Sequence, residues 1–325
     1  MRVLDLGIWR PVPFATQLLA ELGAEVTKIE PPGGDPMLVF PTLYDSLNSR
    51  KQVIEVDLKD PAGRESVVQL AADVDVAVEG FRPGVADRLG VGYEDMRSRN
   101  RAIVYCSISG YGQDGPLAAV VGHDLNYQAW SGALAARAPE ITGAGIPVAD
   151  LAGGAYAAMA ICAALVSRGR TGAGERIDVS MSDVLFSWAA PETGGDLAST
   201  DDPASRFPGY GAFKCADGFI TLGIVSEDPF WKSLCEVIAL HDLVDLNVTE
   251  RAANGPELRR RVRNAVAGWA RDELVAELER AGVPAAPVLT SGEAARSEHF
   301  LSRGVSRLRP DGTIELNHPV RFERS

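Results

Sequence analysis

Cysteine is scarce. Cys106, Cys162, Cys215 and Cys235 are the only four, and no two form a CxxC pair. That spacing excludes a zinc knuckle or a disulfide framework and leads us to expect buried, reduced thiols and no metal. Positive charge is also short, with 32 Lys and Arg against 44 Asp and Glu and a formal charge of −12. Such a balance argues against nucleic acid, whose binding needs clustered cations that release counterions. Basic residues nevertheless gather in the first third, at Arg50-Lys51, Lys59, Arg82, Arg88 and Arg99-Asn100-Arg101, so a small polyanion can still be a ligand. The longest apolar run, Ala155 to Val166, falls short of the ~20 residues that span a bilayer and reads as a buried core helix. No membrane is therefore expected. Strand-like residues begin almost at Met1, which implies no signal peptide and a cytoplasmic location.

What is present is an ordinary globular composition, 46% hydrophobic and 23% charged, over 325 residues. That length suits two domains. "RVLDLG" reads as a strand, "PFATQLLAELG" as a helix and "AEVTKIEPP" as a second strand closed by prolines. The βαβ pattern continues through "QVIEVDL", "KDPAGRESVVQLAAD", "VDVAVEG" and "AIVYCSISG". Nearly continuous apolar strands alternating with helices predict an α/β fold, with a Rossmann-like parallel sheet covered on both faces. Such a sheet suggests a dinucleotide, but "IWRPVPF" follows the first strand in place of the second and third glycines that a pyrophosphate requires. NAD and flavin are rejected on that ground. We expect a large domain over 1–195, completed by 295–325, and a linker with a smaller α/β domain over 196–294. In the second part, "GGDLASTDDPASRFPGYG" reads as the linker and Asp217-Gly218 as a hairpin turn. "EDPFWKSLCEVIAL" and "GPELRRRVRNAVAGWARDELVAELERAG" read as two helical stretches.

Three residues are candidates for acid–base chemistry. His123 in "GHD" stands at a helix start, where the positive end of the helix dipole favours the neutral imidazole that can accept a proton. Its bland alternative is a polar loop residue beside Asp124, the helix cap. Asp150 in "VADLAGG" precedes two glycines and a long apolar helix, and simple N-capping is its alternative. Glu227 carries the same ambiguity between cap and catalyst. Spacing alone cannot bring the three together.

Several long motifs point further: "PFATQLLAELGAEVTKIEPPGGDP", "AVEGFRPGVADRLGVGYEDM", "SISGYGQDGP", "GHDLNYQAWSG", "VADLAGGAYAAMAICAALVSRGRTGAGERIDVSMSD" and "AGVPAAPVLT". Together they resemble the class III CoA-transferase (CaiB/BaiF) family, which includes the α-methylacyl-CoA racemases. The resemblance implies an interlocked homodimer acting on an acyl-CoA, with coenzyme A as part of the substrate and no tightly bound cofactor. It also implies that His123 and Asp150 are the two bases of a racemase and that Glu227 supports the histidine, Asp228 being the alternative. A racemase needs two groups flanking C2 and donors for an enolate oxygen, for which the backbone N–H groups of Asp150 to Gly153 are the expectation. The alternative activity is a CoA-transferase that forms an acyl anhydride on Asp150, and a third is an inactive acyl-CoA-binding protein. We expect a racemase first, because His123 is present and no GGGG-like run occurs. The resemblance further implies a CoA site at Asp57, Leu58, Lys59, Glu79, Phe81, Arg82 and Arg88, whose cations suit the phosphates.

Overall fold

The computed structural model describes residues 1–134, 145–192, 207–310 and 312–320. Most of the linker read from the sequence falls at 193–206, outside the described residues. Backbone contacts divide the chain into two units, Met1–Gly195 with Leu316–Ser325, and Asp196–Glu315.

The first unit alternates strands and helices: β1 (Arg2–Leu6), α1 (Pro11–Glu21), β2 (Glu25–Glu30), α2 (Pro41–Asn48), β3 (Gln52–Glu55), α3 (Pro61–Leu70) and β4 (Val76–Glu79). It continues through α4 (Val85–Leu89), α5 (Tyr93–Arg99), β5 (Val104–Ser109), α6 (Asp124–Trp130), α7 (Val148–Thr171), β6 (Arg176–Ser180) and α8 (Met181–Glu192). All six strands are parallel, in the order β3-β2-β1-β4-β5-β6. The order reverses between β1 and β4, and a crevice opens at the carboxyl ends of strands that diverge in this way. Val3, Leu4, Val76, Val78 and Val104 have no exposed surface, because helices cover both faces. One face packs Val12, Ala15 and Leu19 of α1 with Ala157 and Ile161 of α7. The other packs Val67 and Val68 of α3 with Met96 and Tyr105.

Local chemistry starts the helices. Asp60 accepts from the Gly63 N–H at 3.0 Å while Pro61 takes the first helical position, as the sequence indicates for α3. Gly154 lets α7 lie tightly on α1, since a Cβ there would meet the Pro11 carbonyl oxygen at 2.8 Å. The start of α7 is thereby set beside the β1–α1 loop. At 24 residues α7 exceeds the apolar run read from the sequence, which corrects that estimate. Among the described residues it is the one helix long and apolar enough to cross a membrane by length and composition. Ala149, Ala152, Ala157, Ala158, Ile161 and Ala164 on it are buried in the unit's core.

The second unit holds β7 (Tyr210–Lys214) and β8 (Phe219–Gly223), paired antiparallel around the Asp217-Gly218 turn. Four helices follow: α9 (Asp228–Val237), α10 (Val248–Ala253), α11 (Gly255–Val266) and α12 (Arg271–Arg280). Strand β9 (Ala285–Pro287), short helices α13 (Ser291–Ala295) and α14 (Glu298–Ser302), and the paired strands β10 (Ser306–Leu308) and β11 (Ile314–Leu316) complete it. The stretch read as one helix over 255–282 is two. Ala270 is extended, and the Asp217 carboxylate accepts from the Arg271 N–H at 2.7 Å to start α12 anew. The fully buried Trp231 anchors this unit's core, its indole N–H donating to the Leu243 carbonyl at 2.8 Å.

Candidate active site

A cavity of about 800 Å³ opens in the first unit where β1, β4 and β5 end, at Leu6, Gly80 and Ser109. His123 and Asp150 both line it, so the fold brings together two residues that are 27 positions apart in the chain. His123 is the N-cap of α6 and is exposed. Its backbone N–H donates to Asn126 Oδ1 at 3.0 Å, and the Tyr127 hydroxyl donates to the carbonyl of Gly122 just before it.

Asp150 lies in the first turn of α7, partly buried. Among the described residues no hydrogen bond reaches its carboxylate. Burial pushes the carboxyl up to about 7, with the nearby Asp124 charge adding to the rise and Arg10 opposing it. Asp124 does not cap its own helix. Its Oδ1 accepts from the Ala149 and Asp150 N–H groups at 2.7 and 3.2 Å, while Oδ2 accepts from Gln128 Nε2 at 2.5 Å. Asp124 thus caps α7 from α6 and positions Asp150, a role that the reading of the "HD" pair missed. The same bonds correct the expected oxyanion donors. The Asp150 N–H is taken by Asp124, the Leu151 N–H by the Pro147 carbonyl at 3.1 Å, and those further along enter the helix ladder.

Glu227 belongs to the second unit and is not among the residues lining the cavity. It is exposed, and its carboxylate turns back to accept from the Val225 N–H at 2.9 Å, which holds it below the usual glutamate range. Asp228 pairs instead with the fully buried Arg251. Of the residues implied for CoA, Phe81 and Arg82 line the cavity. Glu79 is 2% exposed and accepts from the Phe81 N–H at 2.7 Å, so it shapes the loop that presents them. Burial raises the Glu79 carboxyl to about 7. Asp57 accepts from the Lys59 N–H at 2.8 Å, Leu58 packs against the core, and Lys59 and Arg88 are exposed.

The loop from Gly7 to Arg10 rests on buried charge that the sequence reading overlooked. Lys28, Asp35, Lys51 and Asp5 have side chains with no exposed surface, and pair as Lys28–Asp35 at 2.9 Å and Lys51–Asp5 at 3.0 Å. Burial alone would raise the Asp5 carboxyl, but the Lys51 and Lys28 ammonium groups outweigh it and hold the group below its ordinary range. Lys51, read from the sequence as part of a basic patch for a polyanion, is therefore committed inside the protein.

Against known proteins, the whole chain, residues 1–325, matches the family described as CoA-transferase family III. The chain belongs to that family. It is 33% identical to an acetyl-CoA:oxalate CoA-transferase of Acetobacter aceti, over 98% of this chain and 87% of the relative. It is 32% identical to a mouse succinyl-CoA:glutarate CoA-transferase, over 98% and 77%. Its fold matches the crystal structure of a CaiB/BaiF family protein from Brucella suis with a TM-score of 0.87 at 30% identity, covering 99% of this chain and 91% of that one. As a family III CoA-transferase the chain is an enzyme, and the resemblance read from its motifs is borne out. These names favour the transferase alternative over the racemase that the sequence put first.

Proposed function

We propose that the enzyme moves CoA between carboxylic acids through an acyl anhydride on Asp150, with a dicarboxylate such as oxalate, succinate or glutarate on at least one side. The supporting observation is the Asp150 carboxylate itself, in the cavity and free of hydrogen bonds from the described residues. A carboxylate solvated by strong donors is a poor nucleophile, whereas one left bare at a helix start is available to attack. One Asp150 oxygen attacks the thioester carbon, the C–S bond breaks, and the CoA thiolate leaves an anhydride behind. Thiolate attack on the aspartyl carbonyl then frees the first acid and leaves an aspartyl thioester. The acceptor carboxylate attacks this thioester, and the thiolate finally captures the new acyl group. Every bond broken is replaced by one of the same class, so no outside energy is required.

Arg82 and Phe81 at the cavity, with Lys59 and Arg88 beyond it, are the residues we assign to the nucleotide of CoA. The family resemblance extends the reading to a homodimer in which the small unit of one copy closes the cavity of the other, bringing Glu227 with it. Light scattering at micromolar concentration checks the dimer. A second reading, racemisation, rests on His123 lining the same cavity as Asp150. One assay separates the two. Succinyl-CoA with glutarate should give glutaryl-CoA, and Asp150→Ala should abolish it. A 2-methylacyl-CoA in heavy water without acceptor should gain no deuterium at C2. Acceptor-independent exchange at C2 that disappears in His123→Ala would instead establish the racemase.

A further inference from the structure

Trp9 has a φ of 62°, one of two non-glycine residues with positive φ among those described. The left-handed region crowds any side chain against its own backbone, and a glycine would adopt it freely. Strain of this kind persists only where the surroundings dictate it, and it concentrates at ligand sites. Here the surroundings are explicit. The Gly7 N–H donates to Asp5 at 2.9 Å and its carbonyl accepts from Lys28 Nζ at 2.6 Å. The Trp9 N–H donates to Asp35 at 3.2 Å, and the Pro13 carbonyl accepts from Lys51 Nζ at 2.8 Å. Four backbone groups within seven residues are thus held by buried charged side chains, two of them on either side of Ile8. Exposed loops are not ordinarily fixed by buried ion pairs, which are costly to desolvate. The indole so held is 40% exposed and lines the cavity that also holds Asp150 and His123.

Building on the acyl-CoA reading of that cavity, we propose that Trp9 sets the acyl length the enzyme accepts. Its indole is a rigid wall at the acyl end of the cavity, so short acyl groups fit and fatty ones are excluded. A flexible loop would yield to a longer chain. This one cannot, because its backbone is anchored to Asp5, Lys28, Asp35 and Lys51.

The test is calorimetric titration of the full chain with CoA, butyryl-CoA and octanoyl-CoA, using wild type, Trp9→Gly and Trp9→Phe. Glycine suits the positive φ, so Trp9→Gly is expected to fold, and Trp9→Asn, which also tolerates that conformation, is the second small variant. Wild type should bind butyryl-CoA at least about tenfold more tightly than octanoyl-CoA, the scale on which a closed apolar pocket discriminates. In the two small variants that ratio should fall to below about threefold, and in Trp9→Phe it should persist. A wild type with no preference against octanoyl-CoA, or small variants that keep the wild-type ratio, overturns the proposal. A wild type that binds neither CoA nor its thioesters overturns the proposal together with the acyl-CoA reading. Normal CoA binding with an unmoved ratio overturns the length gate alone.

Discussion

Replacing Asp124 by asparagine removes one negative charge from beside Asp150 while keeping an oxygen to accept from the start of α7. Asp150 stands at about 7 against an ordinary aspartate value of 3.8, with burial the larger cause and Asp124 the smaller. Asp124 therefore accounts for less than half of the rise, and its neutralisation should lower the Asp150 midpoint by about one pH unit, ~1.4 kcal/mol. The sign follows from the mechanism. Asp150 attacks as the carboxylate, so kcat/KM should rise with pH through the free-enzyme midpoint. In wild type the acidic limb is expected near 7, and in Asp124→Asn near 6. At pH 6 the ionised fraction of Asp150 would grow about fivefold, from about one tenth to about one half. The assay is transfer from succinyl-CoA to glutarate between pH 5 and 8.5, each profile normalised to its own plateau. Normalisation removes any uniform loss from a weakened cap, which can cost about 0.5–2 kcal/mol of stability. An acidic limb that stays in place or moves to higher pH refutes the assignment of Asp124 as the charge that raises Asp150.

The same raised carboxyl makes a stability prediction. A group whose folded-state midpoint lies above its unfolded one contributes stability at low pH that is lost as pH rises through the folded value. Asp150→Asn should therefore be more stable than wild type above pH 8, by on the order of 2–4 kcal/mol, with the difference fading below pH 4; urea titrations at both pH values check this, and equal stability at pH 8 contradicts it. Lys28→Met leaves Asp35 and Glu30 buried without their common cation. Loss of about 3–5 kcal/mol in the same measurement is expected, and a loss below about 1 kcal/mol would show that the buried cluster is not the anchor of the Trp9 loop.

Sequence alone determined the α/β class, the run of βαβ units and the start of α3, because these follow from local periodicity and from a cap and a proline at adjacent positions. The absence of the glycine fingerprint after β1 was also legible, and long motifs identified the family. Asp150 and His123 were visible as candidates, since a charged residue at the edge of an apolar helix and one of four histidines stand out in the chain. Their shared cavity was not, because α6 and α7 meet only once α7 has packed on α1 through Gly154, a contact between residues far apart in sequence. Asp124 illustrates the limit: position suggested that it caps the helix it begins, whereas the packed structure turns its carboxylate to the neighbouring helix. Lys28 and Lys51 show the converse, since cations in an acidic chain read as solvated or as ligand-binding. Only the tertiary structure surrounds them with Asp5, Glu30 and Asp35, because a charge can stay buried only where its partners arrive from separate strands and loops. The strain at Trp9 was likewise decided there, since no local preference drives tryptophan into a left-handed backbone.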